Sequence, residues 1–405
     1  MQSSTFRPGA RRLARSLAVA IAAMACLSAQ AGSDKNSGGG VNVSPKSSYA
    51  YYVTGDVERI PDIRKKPTSP STVLMGGDID VDEAFQWMIA RAGIAPGSGG
   101  RFVIIRATGA DGYNCYVYYS NYPGCNSTGP VQQGAVGGVT LGISSVETLV
   151  IPSAMGANDK RVNEIVGRAD VIWIAGGDQA DYYKNWRGTA LEQTLIKAGV
   201  RNVPIGGTSA GMMVLPRFDF AALRGSVTST QALADPFNKY MTIESQPLSS
   251  PGFIVSPGLE TAIVDAHLDE RDRMGRLMTF VARLVRTDGA TGCTGGVLSG
   301  TTGAPDLARG IGLAIQTALL IEGRAGSQTA RRVANPGALD YGYAAAYLVQ
   351  PSMAPETCLP GTPLTMRGVS VRKVTDSQWF NFSNWDSIPF KEAHIVNGTL
   401  SHFAY

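Results

Sequence analysis

Apolar residues in this chain come in short blocks, not in one long stripe. Thr72-Val73-Leu74-Met75, Phe102 to Ile105, Thr148 to Ile151, Val171 to Ile174 and Val203 to Ile205 are runs of strand length. Runs of that size, several of them ending in glycine, signal strands buried on both faces. After the first run, Phe85, Met88, Ile89 and Ala92 fall at i, i+3, i+4 and i+7, the period of a helix with one buried face. Strands alternating with helical stretches predict βαβ units. The expected fold is α/β, with a mostly parallel central sheet and helices on both faces. Gly76-Gly77, Gly176-Gly177 and Gly206-Gly207 close three of the runs, and two of these pairs fall at the carboxyl ends of strands, where such folds bind ligands.

Two stretches break the rhythm. Residues 107–145, rich in Gly, Asn, Tyr and Ser, read as an insertion. Beyond about residue 300, Gly310 to Ile321, Ala344 to Val349, Val369 to Val374 and Glu392 to Phe403 read as strands, the last folded on an Asn397-Gly398 hairpin turn. These form either a small β-rich cap or an antiparallel extension of the main sheet. The expected organisation is a leader over 32–68, flexible from its Gly- and Ser-rich start, an α/β domain over 69–325 and a β-rich C-terminal extension over 326–405.

Composition adds a compartment. The 405 residues are 44% hydrophobic and 17% charged, a globular balance. Arg7, Arg11, Arg12 and Arg15 precede an apolar run from Leu17 to Leu27 and then Ser28-Ala29-Gln30-Ala31. That is the layout of a secretory signal peptide, residues 1–31, with cleavage expected after Ala31. The run is too short to remain as a spanning helix. Much of the net charge of +4 leaves with it, and no basic block suited to nucleic acid remains. The expected location is extracellular or periplasmic, with no nucleic-acid partner and no membrane partner after cleavage; a homodimer is left open.

Export makes disulfides the default for Cys115, Cys125, Cys293 and Cys358. Sequence permits three pairings. The Tyr-Pro-Gly stretch between Cys115 and Cys125 can turn back tightly, which favours that pair and leaves Cys293–Cys358. With no CxxC and only three histidines, neither a metal site nor a cofactor is expected.

The chemistry centres on Gly207-Thr208-Ser209-Ala210-Gly211, a G-x-S-x-G nucleophile elbow between a strand and a helix. Ser209 is the expected nucleophile, and the N–H of Ala210, at a helix start, faces an oxyanion. Of His267, His394 and His402, only His267 ends an apolar run, Ile263-Val264-Asp265-Ala266-His267-Leu268, and it is the expected base. Arg271, Arg273 and Arg276 follow. Guanidinium groups bind carboxylates bidentately, so these suggest an anion clamp. In an ideal helix Arg271 lies about 200° from Arg273, so the three converge only if the first turn is irregular.

Three segments together resemble the cyanophycinase and aspartyl dipeptidase family of serine peptidases: Gly176-Gly177-Asp178-Gln179, Gly206 to Gly211, and Asp265-Ala266-His267-Leu268 with the three arginines. The signal peptide and C-terminal extension resemble secreted bacterial members. The resemblance implies a fold akin to class I glutamine amidotransferases. It implies as substrate cyanophycin, a polyaspartate carrying arginine in isopeptide linkage, cut by an exo-acting enzyme to β-aspartyl-arginine dipeptides. Carried over, Ser209 is nucleophile and His267 base; Gly177 and Ala210 form the oxyanion hole; Gln179, Asp265, Arg271, Arg273 and Arg276 line the substrate pocket.

One departure stands out. The family places its third catalytic member, a glutamate, in a segment like G-I-G-I-D-E-x-T-A-L. Here Ala314 and Ile315 occupy the acidic positions, before Gln316. Gln316, a backbone carbonyl or an acid from elsewhere could orient His267 instead. The gap keeps two other readings open: a relative that binds the polymer without turnover, and a secreted esterase with Asp235 or Glu244 as acid and His267 or a later histidine as base.

Overall fold

The computed structural model describes residues 48–405 apart from 122–124, 126, 245–248, 251, 341–343 and 402–404. The expected signal peptide, the first part of the expected leader and His402 lie outside the described residues.

Nine strands form the larger sheet. Its middle is parallel: β2 (Ser71–Met75), β6 (Ile205–Thr208), β5 (Val171–Ile174), β3 (Gly100–Arg106) and β4 (Ile143–Val150) lie side by side in that order. Beyond β4, β1 (Ala50–Gly55) is antiparallel; beyond β2, so are β11 (Thr317–Glu322), β12 (Thr329–Ala334) and β15 (Phe380–Asn381). The parallel strands are apolar on both sides because each side has its own core. Val73, Phe102, Ile104, Val171 and Trp173 enter one cluster, with Phe85 and Met88 of the helix Asp82–Arg91. Their alternate neighbours Leu74, Val103, Ile105, Ile172 and Ile174 enter the other. Side chains of successive strand residues point to opposite faces, so near-continuous apolar runs are what two covered faces require.

A second sheet has six strands in the order β17 (Thr399–Leu400), β16 (Lys391–Val396), β14 (Met366–Val374), β13 (Ala346–Pro351), β10 (Arg309–Leu313) and β9 (Ala262–Asp265). Only β9 and β10 pair in parallel within it. The helix Met274–Leu284 covers this sheet so closely that a Cβ on Gly310 would lie 2.6 Å from Val281. A separate short ribbon pairs β7 (Asp219–Phe220) with β8 (Ile243–Glu244).

The expected leader over 32–68 is corrected at Ala50–Gly55, which is an edge strand. Its cause is nonlocal: Glu147 of β4 is fully buried, accepts from Arg168 at 2.7 Å and takes the Tyr51 hydroxyl of β1 as a further donor. The insertion holds a helix, Gly112–Tyr118, and the Cys115–Cys125 disulfide; Cys293–Cys358 is the second bridge. The run expected from Gly310 to Ile321 is two strands in different sheets, broken at Ala314–Gln316, where Gln316 has φ +54°. The choice between cap and extension falls to extension, since strands after residue 325 continue both sheets. The Asn397-Gly398 turn joins β16 to β17 with positive φ at both residues, as a tight hairpin needs.

Candidate active site

β6 ends at Thr208, and the chain reverses at Ser209, where φ is 50° and ψ −120°. A backbone this strained persists only where its surroundings fix it. The flanking glycines show how tight they are. A Cβ on Gly207 would come within 2.4 Å of the Gly211 backbone, and one on Gly211 within 2.0 Å of the Ile174 carbonyl. The spacing of small residues around the serine is therefore a steric requirement.

Three successive carbonyls at the end of β2 place the rest. Met75 accepts from the Ser209 N–H, Gly76 from the His267 N–H and Gly77 from the Gln316 N–H, each at 2.9 Å. Ser209 and His267 follow strands of different sheets, and the β2 terminus is bonded to both. His267 follows β9 with φ +51°, and a Cβ on Gly77 would sit 2.5 Å from its Nε2. No residue but glycine leaves room for the ring.

The His267 ring bridges two groups. Ser209 Oγ lies 2.9 Å from Nε2, and Glu270 Oε2 lies 2.9 Å from Nδ1. A carboxylate can only accept, so Nδ1 carries the proton and Nε2 is free to take one from Ser209. Burial lowers the His267 pKa, the Glu270 hydrogen bond raises it, and Arg271 and Arg273 lower it again. The net shift is downward, which keeps the imidazole neutral and able to act as a base. Glu270 is the acid that sequence reasoning missed. It sits three residues past the histidine, at one of two positions passed over between His267 and the arginines. Next to it, Asp269 accepts the N–H of Ile315 at 3.3 Å. The segment without its acid thus lies against the loop that supplies one. Gln316 instead donates to Asp78, and Asp235 accepts from Phe237 and Gly361. Glu270 is the carboxylate on the ring.

A cavity of about 290 Å³ opens beside Ser209, lined among others by Gly177, Gln179, Ala210, Arg271 and Arg273. The N–H groups of Gly177 and Ala210 meet no acceptor among the described residues, as an empty oxyanion site requires. Gln179 Nε2 donates to the Phe220 carbonyl at 3.3 Å. The three arginines separate. Arg276 is 2% exposed and forks onto Asp265 at 2.6 and 2.7 Å, and its third nitrogen reaches Ser226 and Val227. Arg276 lines the cavity, and the buried Asp265 is shared, with Arg273 Nη1 3.7 Å from the same carboxylate. Arg273 donates to the Ala266 carbonyl at 2.8 Å, and burial lowers its pKa to about 10. Arg271 is half exposed, with Glu270 at 3.7 Å. All three arginines line the cavity.

Residues 140–227 match Peptidase family S51. They span the sheet from β4 through Ser209 to the start of the cavity wall. The enzyme class that follows is a serine-type peptidase. Among solved structures, the chain is similar to a peptidase from an acI-B1 Actinobacterium, with 15% identity and a TM-score of 0.41, over 78% of this chain and 98% of that one. A putative peptidase E protein from Listeria monocytogenes EGD-e is similar at 10% identity and a TM-score of 0.32, over 66% of this chain and 100% of that one. No curated protein matches. Among the described residues of the peptidase, no helix is long and apolar enough to cross a membrane.

Proposed function

We propose that this chain is a secreted serine exopeptidase that cleaves cyanophycin, or a closely related β-aspartyl polymer, to β-Asp-Arg dipeptides. Ser209 Oγ attacks the scissile carbonyl while His267 Nε2 takes its proton. The N–H groups of Gly177 and Ala210 stabilise the oxyanion, and His267 returns the proton to the leaving nitrogen. Water then hydrolyses the acyl-enzyme by the same relay. Glu270 holds the tautomer and stabilises the imidazolium as it forms.

The observation that carries the reading is the continuous Ser209–His267–Glu270 hydrogen-bonded line, with each link at 2.9 Å. Arg271 and Arg273 beside it suit a substrate rich in free carboxylates. The two disulfides are compatible with an oxidising compartment outside the cell. The binding-only alternative was motivated by the missing acid, and Glu270 supplies one.

The test is incubation with insoluble cyanophycin. Wild type should clear the suspension and release dipeptide, and Ser209→Ala should release none at an unchanged melting temperature. Hydrolysis of small activated esters with no action on the polymer would remove the substrate assignment, and full activity in Ser209→Ala would remove the mechanism.

A further inference from the structure

The loop 268–273 carries Glu270, Arg271 and Arg273, and it is not a regular helical turn. Asp272 has φ +46°, and the helix begins only at Met274. Its own backbone closes it in part: the Arg271 N–H donates to the His267 carbonyl, the Asp272 N–H to Asp269 and the Arg273 N–H to Leu268. The Leu268 N–H bonds the Leu313 carbonyl at 3.0 Å, and Asp269 accepts from Ile315. Those contacts fix its first end. The second end is met from a distant part of the chain. The Tyr405 hydroxyl accepts the Met274 N–H at 3.0 Å and donates to Asp272 Oδ1 at 2.8 Å. The same oxygen lies 3.4 Å from the Leu268 carbonyl. One phenol thus closes both ends of the loop, with Glu270 between them. Its ring stands edge-on to Tyr347 of β13, with centroids 6.0 Å apart. Burial, reinforced by Asp272, pushes the phenol pKa up, so it remains a donor at every pH where the site works.

We propose that Tyr405 is a positioning residue for the peptidase site: it clips the 268–274 loop and so holds Glu270 on His267. This rests on the catalytic reading of Ser209, His267 and Glu270. It gives the C-terminal extension a part in catalysis, although Tyr405 touches neither substrate nor the reacting atoms.

Tyr405→Phe removes the hydroxyl and keeps the ring on Tyr347. Loosening the loop weakens the Glu270 hydrogen bond, which alone with the Glu270 charge raises the His267 pKa against burial, Arg271 and Arg273. The acid limb of the kcat profile should therefore move to lower pH. The kcat at the optimum should fall about tenfold, the scale of one lost hydrogen bond to a charged group. Asp272→Asn, which keeps the acceptor oxygen and removes its charge, should give a smaller loss in the same direction. In a Glu270→Gln background, Tyr405→Phe should cause no further loss, because coupled residues are not additive. An acid limb and kcat unchanged in Tyr405→Phe, or losses that multiply in the double variant, would overturn the assignment. Ser209→Ala run alongside separates the outcomes: if it is inactive while Tyr405→Phe behaves as wild type, the site stands and only the clip falls.

Discussion

Glu270 takes up a role that the chain lacks at its expected place. Its side chain is 44% exposed, whereas the His267 side chain it orients is 9% exposed. Half the carboxylate faces water, so its charge is screened and its grip on the imidazole is weaker than that of a fully buried acid. Glu270→Gln should accordingly lower kcat by about 10²–10³, short of the roughly 10⁴ seen when a buried triad acid is lost. The sign of the pH effect is fixed by the cause of the shift. Glu270 raises the His267 pKa, so its loss lowers that pKa further and moves the acid limb to lower pH. A limb that moves upward, or a kcat equal to wild type, would exclude Glu270 as the orienting group. In the sequence Glu270 was in plain view but unread. An acid three residues from a histidine is common, and only the turn at His267 aims it at Nδ1.

The elbow and the β2 terminus work as elements. Sequence showed the strand–turn–helix at Ser209 because its small residues are close together in the chain, although Ser209 and Gly211 also meet the distant Met75 and Ile174 carbonyls. Gly207, Ser209 and Gly211 sit within five residues, and their spacing carries the steric demand. Gly76-Gly77 was visible only as the end of a strand. Its two carbonyls reach His267, past β9, and Gln316, before β11, which are partners from two distant parts of the chain, and nothing near it in sequence names them. Gly77→Ala tests the element. The added Cβ would meet His267 Nε2 at 2.5 Å, and the backbone there has φ +111°. The ring must move away from Ser209, and a displacement of about 1 Å costs about 10² in rate. The expected result is a loss of that size in kcat with native secondary structure by circular dichroism. Retained activity would show that the ring has another place to go. Arg276 lines the cavity, and its pairing with the buried Asp265 is a contact that its position on the helix did not reveal.

At the scale of the molecule, the Ser209–His267 pair straddles a seam. Ser209 follows a strand of the nine-stranded sheet and His267 a strand of the six-stranded one, and β2 bonds to both. The alternation of strands and helices announced the parallel sheet. It could not announce the split at Ala314–Gln316, because β10 and β11 are equally apolar and only their partners differ. The claim on which all else depends is that Ser209 is activated by His267 across this seam. A fluorophosphonate, which bonds covalently to an activated serine with loss of fluoride, measures this directly by peptide mapping at a series of pH values. The account predicts one label, on Ser209, forming more slowly as His267 becomes protonated at low pH and not at all in His267→Ala. A label on another residue, or one that forms on Ser209 at the wild-type rate without His267, would contradict it.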